Sequence, residues 1–199
     1  MSHLETLESE LQQFRLPLPE SQKITLAKYC DELVRWNQRI NLTALSGAAL
    51  VRRLVVEPVW IARELSMSGV LVDIGSGNGS PAVPLEVVCG FEKSHLVEAR
   101  AKRAAFLRHL AQALQLPSMI VHRGRFEDTC GEVEKADWIS LQAVALDEGL
   151  LASMRRIARP TTTIVWVTSP AVEKVAEPIR MLNVPITGTQ VFLYRLDLS

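Results

Sequence analysis

The ten residues Val70–Gly79 (VLVDIGSGNG) constrain the fold of this chain more than any other segment. Val70 to Ile74 is a short, nearly all-apolar run that stops at a glycine loop. A strand buried on both faces of a parallel sheet has this character, because neither face meets water and the polar alternation is lost. In the loop, Asp73-Ile74-Gly75-Ser76-Gly77-Asn78-Gly79, glycines stand where a backbone can turn tightly and approach a ligand without a Cβ in the way.

Downstream the pattern alternates. Short strands are expected at Ser94–Val97, Met119–His122, Trp138–Leu141 and Thr163–Thr168, helices at Ala101–Leu114 and Glu148–Ile157, and a last strand between Ile186 and Leu196. Such alternation predicts an α/β fold, a mostly parallel, doubly wound sheet with helices on both faces. Upstream, Leu26, Tyr29, Leu33, Trp36 and Ile40 recur at three- and four-residue spacing, which predicts an amphipathic helix from Glu20 to about Gln38. A weaker helix over residues 4–14 precedes it, broken off by Pro17 and Pro19, and a third should run from about Ala48 to Leu65, kinked or divided by Pro58. The expected organisation is an N-terminal helical appendage over residues 1–65 and a Rossmann-like unit over 66–199.

The charge balance, 22 Lys plus Arg against 22 Asp plus Glu, argues against a broad basic surface, so a nucleic-acid partner would need a local patch. The appendage offers one: Lys23, Lys28, Arg35, Arg39, Arg52, Arg53 and Arg63 face only Asp31, Glu32 and Glu57 over the same stretch. Cys30, Cys89 and Cys130 form no CxxC pair and read as reduced thiols. His3, His95, His109 and His122 lack metal-ligand spacing, so no metal is expected. The N-terminus is acidic and amphipathic, unlike a signal peptide, and no apolar run reaches the roughly 18 residues that span a bilayer. A cytoplasmic protein that does not enter a membrane is expected.

Glu98 lies 19 residues beyond Gly79, at the end of the second expected strand, where a carboxylate can accept hydrogen bonds from ribose hydroxyls. This arrangement serves nicotinamide dinucleotides as well as other nucleosides. Ser80, however, stands where a dinucleotide fingerprint wants its third glycine. The Asp73–Gly79 pattern instead resembles the first motif of class I methyltransferases that use S-adenosylmethionine (SAM).

A more specific resemblance covers most of the chain. RWNQRINLTAL from Arg35 to Leu45, LVRR from Leu50 to Arg53, VDIGSGNGSPAVPL from Val72 to Leu85 and VEARAKRAAFLRHL from Val97 to Leu110 resemble the small-subunit (16S) ribosomal RNA guanine-N7 methyltransferases, the glucose-inhibited division protein B family. The resemblance implies a class I SAM-dependent methyltransferase fold, SAM as cofactor, and ribosomal RNA or the small ribosomal subunit as partner of a monomeric enzyme. Within its first motif, Asp73, Gly75, Ser76, Gly77 and Gly79 would serve the cofactor, the glycines along the methionine side. Glu98 would hold the ribose, and Phe126 and Glu127, in a segment similar to the family's Arg-Ala-Glu, would flank the adenine. Lys102 and Arg103 match a Lys-Arg pair of the family, and are equally readable as a solvated helix face.

The substrate side departs from the family. Arg52 and Arg53, then Val56 and Glu57, stand where it has Arg-His and then Asp-Ser; Leu141-Gln142-Ala143 replaces Ser-Arg-Ala; Thr168-Ser169 replaces Lys-Gly. The chain therefore resembles a divergent member, short of an arginine, a lysine and a carboxylate. Asn41, Arg53 and Gln142 are the candidates for a catalytic role. Guanine N7 presents a free lone pair, so methyl transfer to it needs positioning and exclusion of water rather than a general base. A SAM- or RNA-binding module without transferase activity is the alternative.

Overall fold

The computed structural model describes residues 2–168 and 177–196. Four helical segments come first: α1 (His3–Gln13), α2 (Glu20–Asn37), α3 (Gly47–Val51) and α4 (Glu57–Leu65), the last two joined by a π-helical turn over Arg52–Val56. Ser2 and Glu5 close a reciprocal capping box on α1, which satisfies N–H groups a helix start leaves open. The division expected near Pro58 falls earlier in the chain. The Glu57 N–H bonds to the Arg52 carbonyl five residues back, and Pro58 sits in the first turn of α4, where a missing N–H costs nothing.

The sheet begins at β1 (Val70–Ile74), buried throughout. It continues through α5 (Ala82–Cys89), β2 (Lys93–Glu98), α6 (Ala101–Ala113), β3 (Met119–Arg123), α7 (Phe126–Thr129), a 3-10 turn over Cys130–Glu132, β4 (Ala136–Gln142), α8 (Glu148–Ile157), β5 (Ala158–Thr168), β6 (Arg180–Asn183) and β7 (Gln190–Arg195). The order across the sheet is β3-β2-β1-β4-β5-β7-β6, parallel as far as β5 and antiparallel in the last two pairings.

Three boundaries differ from expectation. β5 starts at Ala158, five residues ahead of Thr163, because Ala158 pairs with Ala136 across an irregularity in the ladder. β6 was not anticipated: only Leu182 of its four residues is buried, too short an apolar signal to read. β7 begins at Gln190, not Ile186, because the intervening residues make the β6–β7 turn. There the Gly188 N–H bonds to the Val184 carbonyl with glycine at φ +70°. Ser169 lies outside the described residues.

One apolar cluster unites α1 to α6 with the sheet face carrying Leu71, Leu96 and Val165; a second unites α7 and α8 with the face carrying Val72, Val97 and Ile139. The helices that precede β1 therefore share a continuous core with the sheet. β1 lies between β2 and β4, where the chain winds out in two directions, and a crevice opens at the carboxyl ends of strands at such a switch point.

Candidate functional site at the carboxyl ends of the parallel strands

The glycine loop after β1 is held from below and from the side. The Gly75 and Ser76 N–H groups both donate to the Val97 carbonyl of β2, at 2.9 and 3.1 Å, and Ser76 Oγ donates to the Asp73 carbonyl at 3.0 Å. From the appendage, Tyr29 Oη donates to the Asn78 carbonyl at 3.0 Å, so α2 fixes the far end of the loop. Gly75 and Gly77 take φ +75° and +49°, a region L side chains avoid. A methyl group on Gly75 would come within 2.8 Å of Val144 Cγ2. One on Gly77 would point between Glu98 and Arg103, into space that glycine leaves open.

Glu98 ends β2 and is 6% exposed. Its Oε2 accepts the Gly77 N–H at 2.9 Å and its Oε1 the Arg100 N–H at 2.7 Å, so both oxygens are oriented by backbone. A carboxylate has about four acceptor positions, and two remain for a ligand's hydroxyls.

Two cavities meet at Gly75. One, of about 480 Å³, is lined by Thr43, Arg53, Ser76, Gly77, Arg103 and Gln142 among others. The second, of about 250 Å³, is lined by Glu98, Phe126, Glu127, Val144 and Asp147 among others. A larger hollow of about 640 Å³ lies between α6 and β3, away from the loop, and lacks this convergence of polar groups. Among the described residues no three of His, Cys, Asp and Glu gather as a metal site, and no helix is long and apolar enough to cross a membrane.

Of the residues singled out in the sequence, Gly75, Ser76, Gly77, Arg53 and Gln142 wall the first cavity, and Gly75, Glu98, Phe126 and Glu127 the second. Three do not reach either wall. Gly79 faces the core: a Cβ there would meet Val83, Leu110 and Tyr29, so this glycine serves close packing of the loop on α2 and α6 rather than the ligand side. Asn41 has an exposed side chain and takes part through its carbonyl, which accepts Arg103 Nη2 at 3.0 Å. Asp73 is buried beneath the loop; its Oδ1 accepts Ser140 Oγ at 2.5 Å, while Oδ2 has no partner. Burial pushes the Asp73 carboxyl up to about 6, against the opposing pull of the Ser140 hydrogen bond.

Other site residues were not nominated in the sequence. Asn37 clamps the segment after α2, its Oδ1 accepting the Leu42 and Thr43 N–H groups and its Nδ2 donating to the Thr43 carbonyl, which places Thr43 on the cavity wall. That is the physical content of the Trp36-Asn37…Asn41-Leu42-Thr43 motif. Arg103, readable as a solvated helix face, lies against the loop instead. Glu57, 1% exposed, pairs with Arg53 behind the larger cavity and accepts Thr189 Oγ1 at 2.7 Å. Arg53 also bonds to Thr189. With its amide turned so that both groups are satisfied, Gln142 donates to the Ser80 carbonyl at 3.0 Å and accepts from Arg53 at 3.3 Å. Part of the appendage's basic patch is neutralised: Lys23 pairs with Glu8 and Glu20, Arg35 with Glu32, Arg52 with Glu10 and Arg53 with Glu57, while among the described residues Lys28 and Arg63 donate only to backbone carbonyls.

The family model for rRNA small subunit methyltransferase G matches residues 22–181, most of the chain and every segment that builds the two cavities. The chain belongs to this family. A ribosomal RNA small subunit methyltransferase G of Chloroflexus aggregans is 38% identical over 135 residues, covering 65% of this chain and 57% of the relative, so the match spans little more than half of that protein. One from Wolinella succinogenes is 28% identical over 165 residues, covering 82% of this chain and 83% of the relative. Among solved structures, a SAM-dependent methyltransferase from Aquifex aeolicus superposes with a TM-score of 0.59 at 12% identity, over 81% of this chain and 96% of the other. TrmN from Thermus thermophilus does so with a TM-score of 0.53 at 22% identity, over 76% and 55%. These likenesses establish the class I methyltransferase fold.

Proposed function

We propose that this chain is a SAM-dependent methyltransferase acting on RNA, at a guanine N7 of small-subunit ribosomal RNA. The observation that carries the reading is the pair of cavities joined at Gly75, one walled by Glu98, Phe126 and Glu127, the other by backbone of the glycine loop and the side chains of Arg53, Gln142 and Arg103. The residues fit SAM. Gly77 leaves open a cradle that a Cβ would fill, and beside it Glu98 keeps acceptor positions free of the two backbone N–H groups that orient it.

Bound there, SAM would supply an electrophilic methyl group on its sulfonium sulfur. Glu98 would accept the ribose hydroxyls with its remaining lone pairs, while Phe126 and Glu127 wall the adenine end. Gly75, Ser76 and Gly77 would line the methionine end. Arg53, held by Glu57 and Thr189, and Gln142, held by Ser80 and Arg53, would orient the base at the mouth of the larger cavity. N7 carries its own lone pair, so these groups contribute position and exclusion of water, not a proton transfer. Residues 1–65 act as a helical appendage to the catalytic unit 66–199, and the enzyme works as a cytoplasmic monomer.

A second reading has one specific support. Gln142 and Thr168 stand where the family has arginine and lysine, which is compatible with a SAM- or RNA-binding module whose transfer activity is lost. Tritium transfer from labelled SAM to small ribosomal subunits, naked ribosomal RNA and tRNA separates the two. Counts in subunits or ribosomal RNA are expected; counts in none, with SAM bound normally in calorimetry, select the module. Failure to bind SAM at all would remove both.

A further inference from the structure

Residues 99–126 carry six cations, Arg100, Lys102, Arg103, Arg108, Arg123 and Arg125, and no aspartate or glutamate. None of the six has an ion-pair partner among the described residues. Arg103 and Arg108 donate to the carbonyls of Asn41 and Val121, at 3.0 and 3.3 Å, which leaves their charge uncompensated. The side chains of Arg100, Lys102, Arg123 and Arg125 are exposed. The fold gathers them at one end of the sheet: Arg123 pairs in register with Glu98, Arg100 follows β2, Arg125 lines the smaller cavity, and Arg103 lies against Gly77.

On the flank of α6, a hollow of about 300 Å³ is formed by Arg35, Trp36, Arg39 and His109. The half-buried Trp36 ring packs on Phe106 and His109 at centroid distances of 5.5 and 5.2 Å, and Arg39 is exposed without an ion-pair partner. Unpaired guanidinium and ammonium groups beside an aromatic platform suit the phosphates and unstacked bases of RNA. By contrast, Lys23, Arg35, Arg52 and Arg53 on the N-terminal helices are tied to Glu8, Glu10, Glu20, Glu32 and Glu57, and a cation already paired releases fewer counterions on binding a phosphate.

We infer that the face built from α6, the carboxyl ends of β2 and β3 and the Trp36–Arg39 end of α2 is the surface that holds the RNA substrate, and that the rest of the N-terminal helices do not. This rests on the reading of the chain as an RNA methyltransferase and says which surface carries the polyanion. The face borders both cavities, so RNA held on it reaches the cofactor without crossing the neutralised helices.

The test uses the full chain and deproteinised small-subunit ribosomal RNA, with affinity measured by filter binding across a salt series. The triple variant Arg39→Gln/Lys102→Gln/Arg123→Gln should bind this RNA at least about tenfold more weakly at about 0.15 M salt, and its salt slope should be shallower by about two, since each lost phosphate contact removes roughly 0.7–0.9. Its SAM affinity should stay within about twofold, which reports an intact fold, and the charge-keeping triple Arg39→Lys/Lys102→Arg/Arg123→Lys should bind RNA nearly as the parent does. Lys23→Gln/Arg52→Gln, which removes two cations already paired with Glu8, Glu20 and Glu10, should change RNA affinity less than about twofold. The assignment is overturned if the first triple binds like the parent, if the charge-keeping triple is as weak as the first, or if the Lys23/Arg52 double loses as much. Absence of RNA binding by the parent chain overturns the methyltransferase reading along with it, a result distinguishable from the other three.

Discussion

The two walls of the site are built by different means. The wall proposed for the cofactor is built mostly of glycine-loop backbone and one carboxylate between Gly75 and Glu98, closed at its far end by Phe126 and Glu127, with Glu98 oriented by the N–H groups of Gly77 and Arg100. The substrate wall is assembled from side chains far apart in the chain: Arg53 and Glu57 from the appendage, Gln142 from the end of β4, and Thr189 from the β6–β7 turn. A wall of backbone tolerates little change, because its geometry is set by positive φ angles and strand register. A wall of long-range side-chain contacts can exchange one polar group for another, as at Gln142, where the resemblance expects an arginine.

The sharpest way to break the contrast is to damage the backbone wall. Gly75→Val places a β-branched residue at φ +75°, where strain costs about 1–2 kcal/mol, and drives its Cβ into Val144 between the two cavities. SAM affinity measured by calorimetry should fall by about 100-fold or more, about 3 kcal/mol. Next is Glu98→Ala, which removes an acceptor of ribose hydroxyls and frees two backbone donors; a loss of about 1.5–3 kcal/mol in SAM binding is expected. Unchanged affinity in that variant would show that the ribose is not held at the end of β2.

How much was legible in the sequence follows the same division. Val70–Ile74, Gly75, Gly77 and Glu98 could be read locally, because an apolar strand, a glycine turn and an acid at a strand end have fixed spacings. Gly79 could not be assigned correctly by that logic: its side faces Tyr29 and Leu110, a packing constraint from two distant helices. The effective charge of α2 to α4 depends on distant contacts in the same way. Their basic residues look unopposed along the chain, yet α1 brings Glu8 and Glu10 against Lys23 and Arg52 from 15 and 42 residues away. Glu57 was passed over because its role depends on Thr189, 132 residues later.

Asp73, buried beneath the glycine loop on Ser140, brings a titratable group under the cavities without lining them. Its buried carboxyl is raised to about 6 from an ordinary 3.8, so the protonated form is favoured by folding. That contribution is fully present below about pH 4 and is lost as pH rises through 6. In denaturant titrations the stability of the parent relative to Asp73→Asn should therefore fall by about 1–3 kcal/mol between pH 4 and 7, since the amide does not ionise. Parallel pH profiles would mean that Asp73 is not desolvated beneath the loop.

The smallest expected effect tests the substrate wall itself. Gln142→Ala removes an amide that donates to the Ser80 carbonyl and accepts from Arg53, neutral and singly charged hydrogen bonds at the edge of the larger cavity. Each such bond is worth about 1 kcal/mol net, and with about one bond's worth acting on the orientation of the base, methyl transfer should drop about fivefold, through kcat, while SAM affinity stays within about twofold. Gly75→Val should show the reverse split, with cofactor affinity carrying the loss. If Gln142→Ala instead weakens SAM binding and leaves kcat intact, Gln142 belongs to the cofactor wall. The base would then be oriented by Arg53 alone, whose pairing with Glu57 and Thr189 does not pass through Gln142 and is left in place by the substitution.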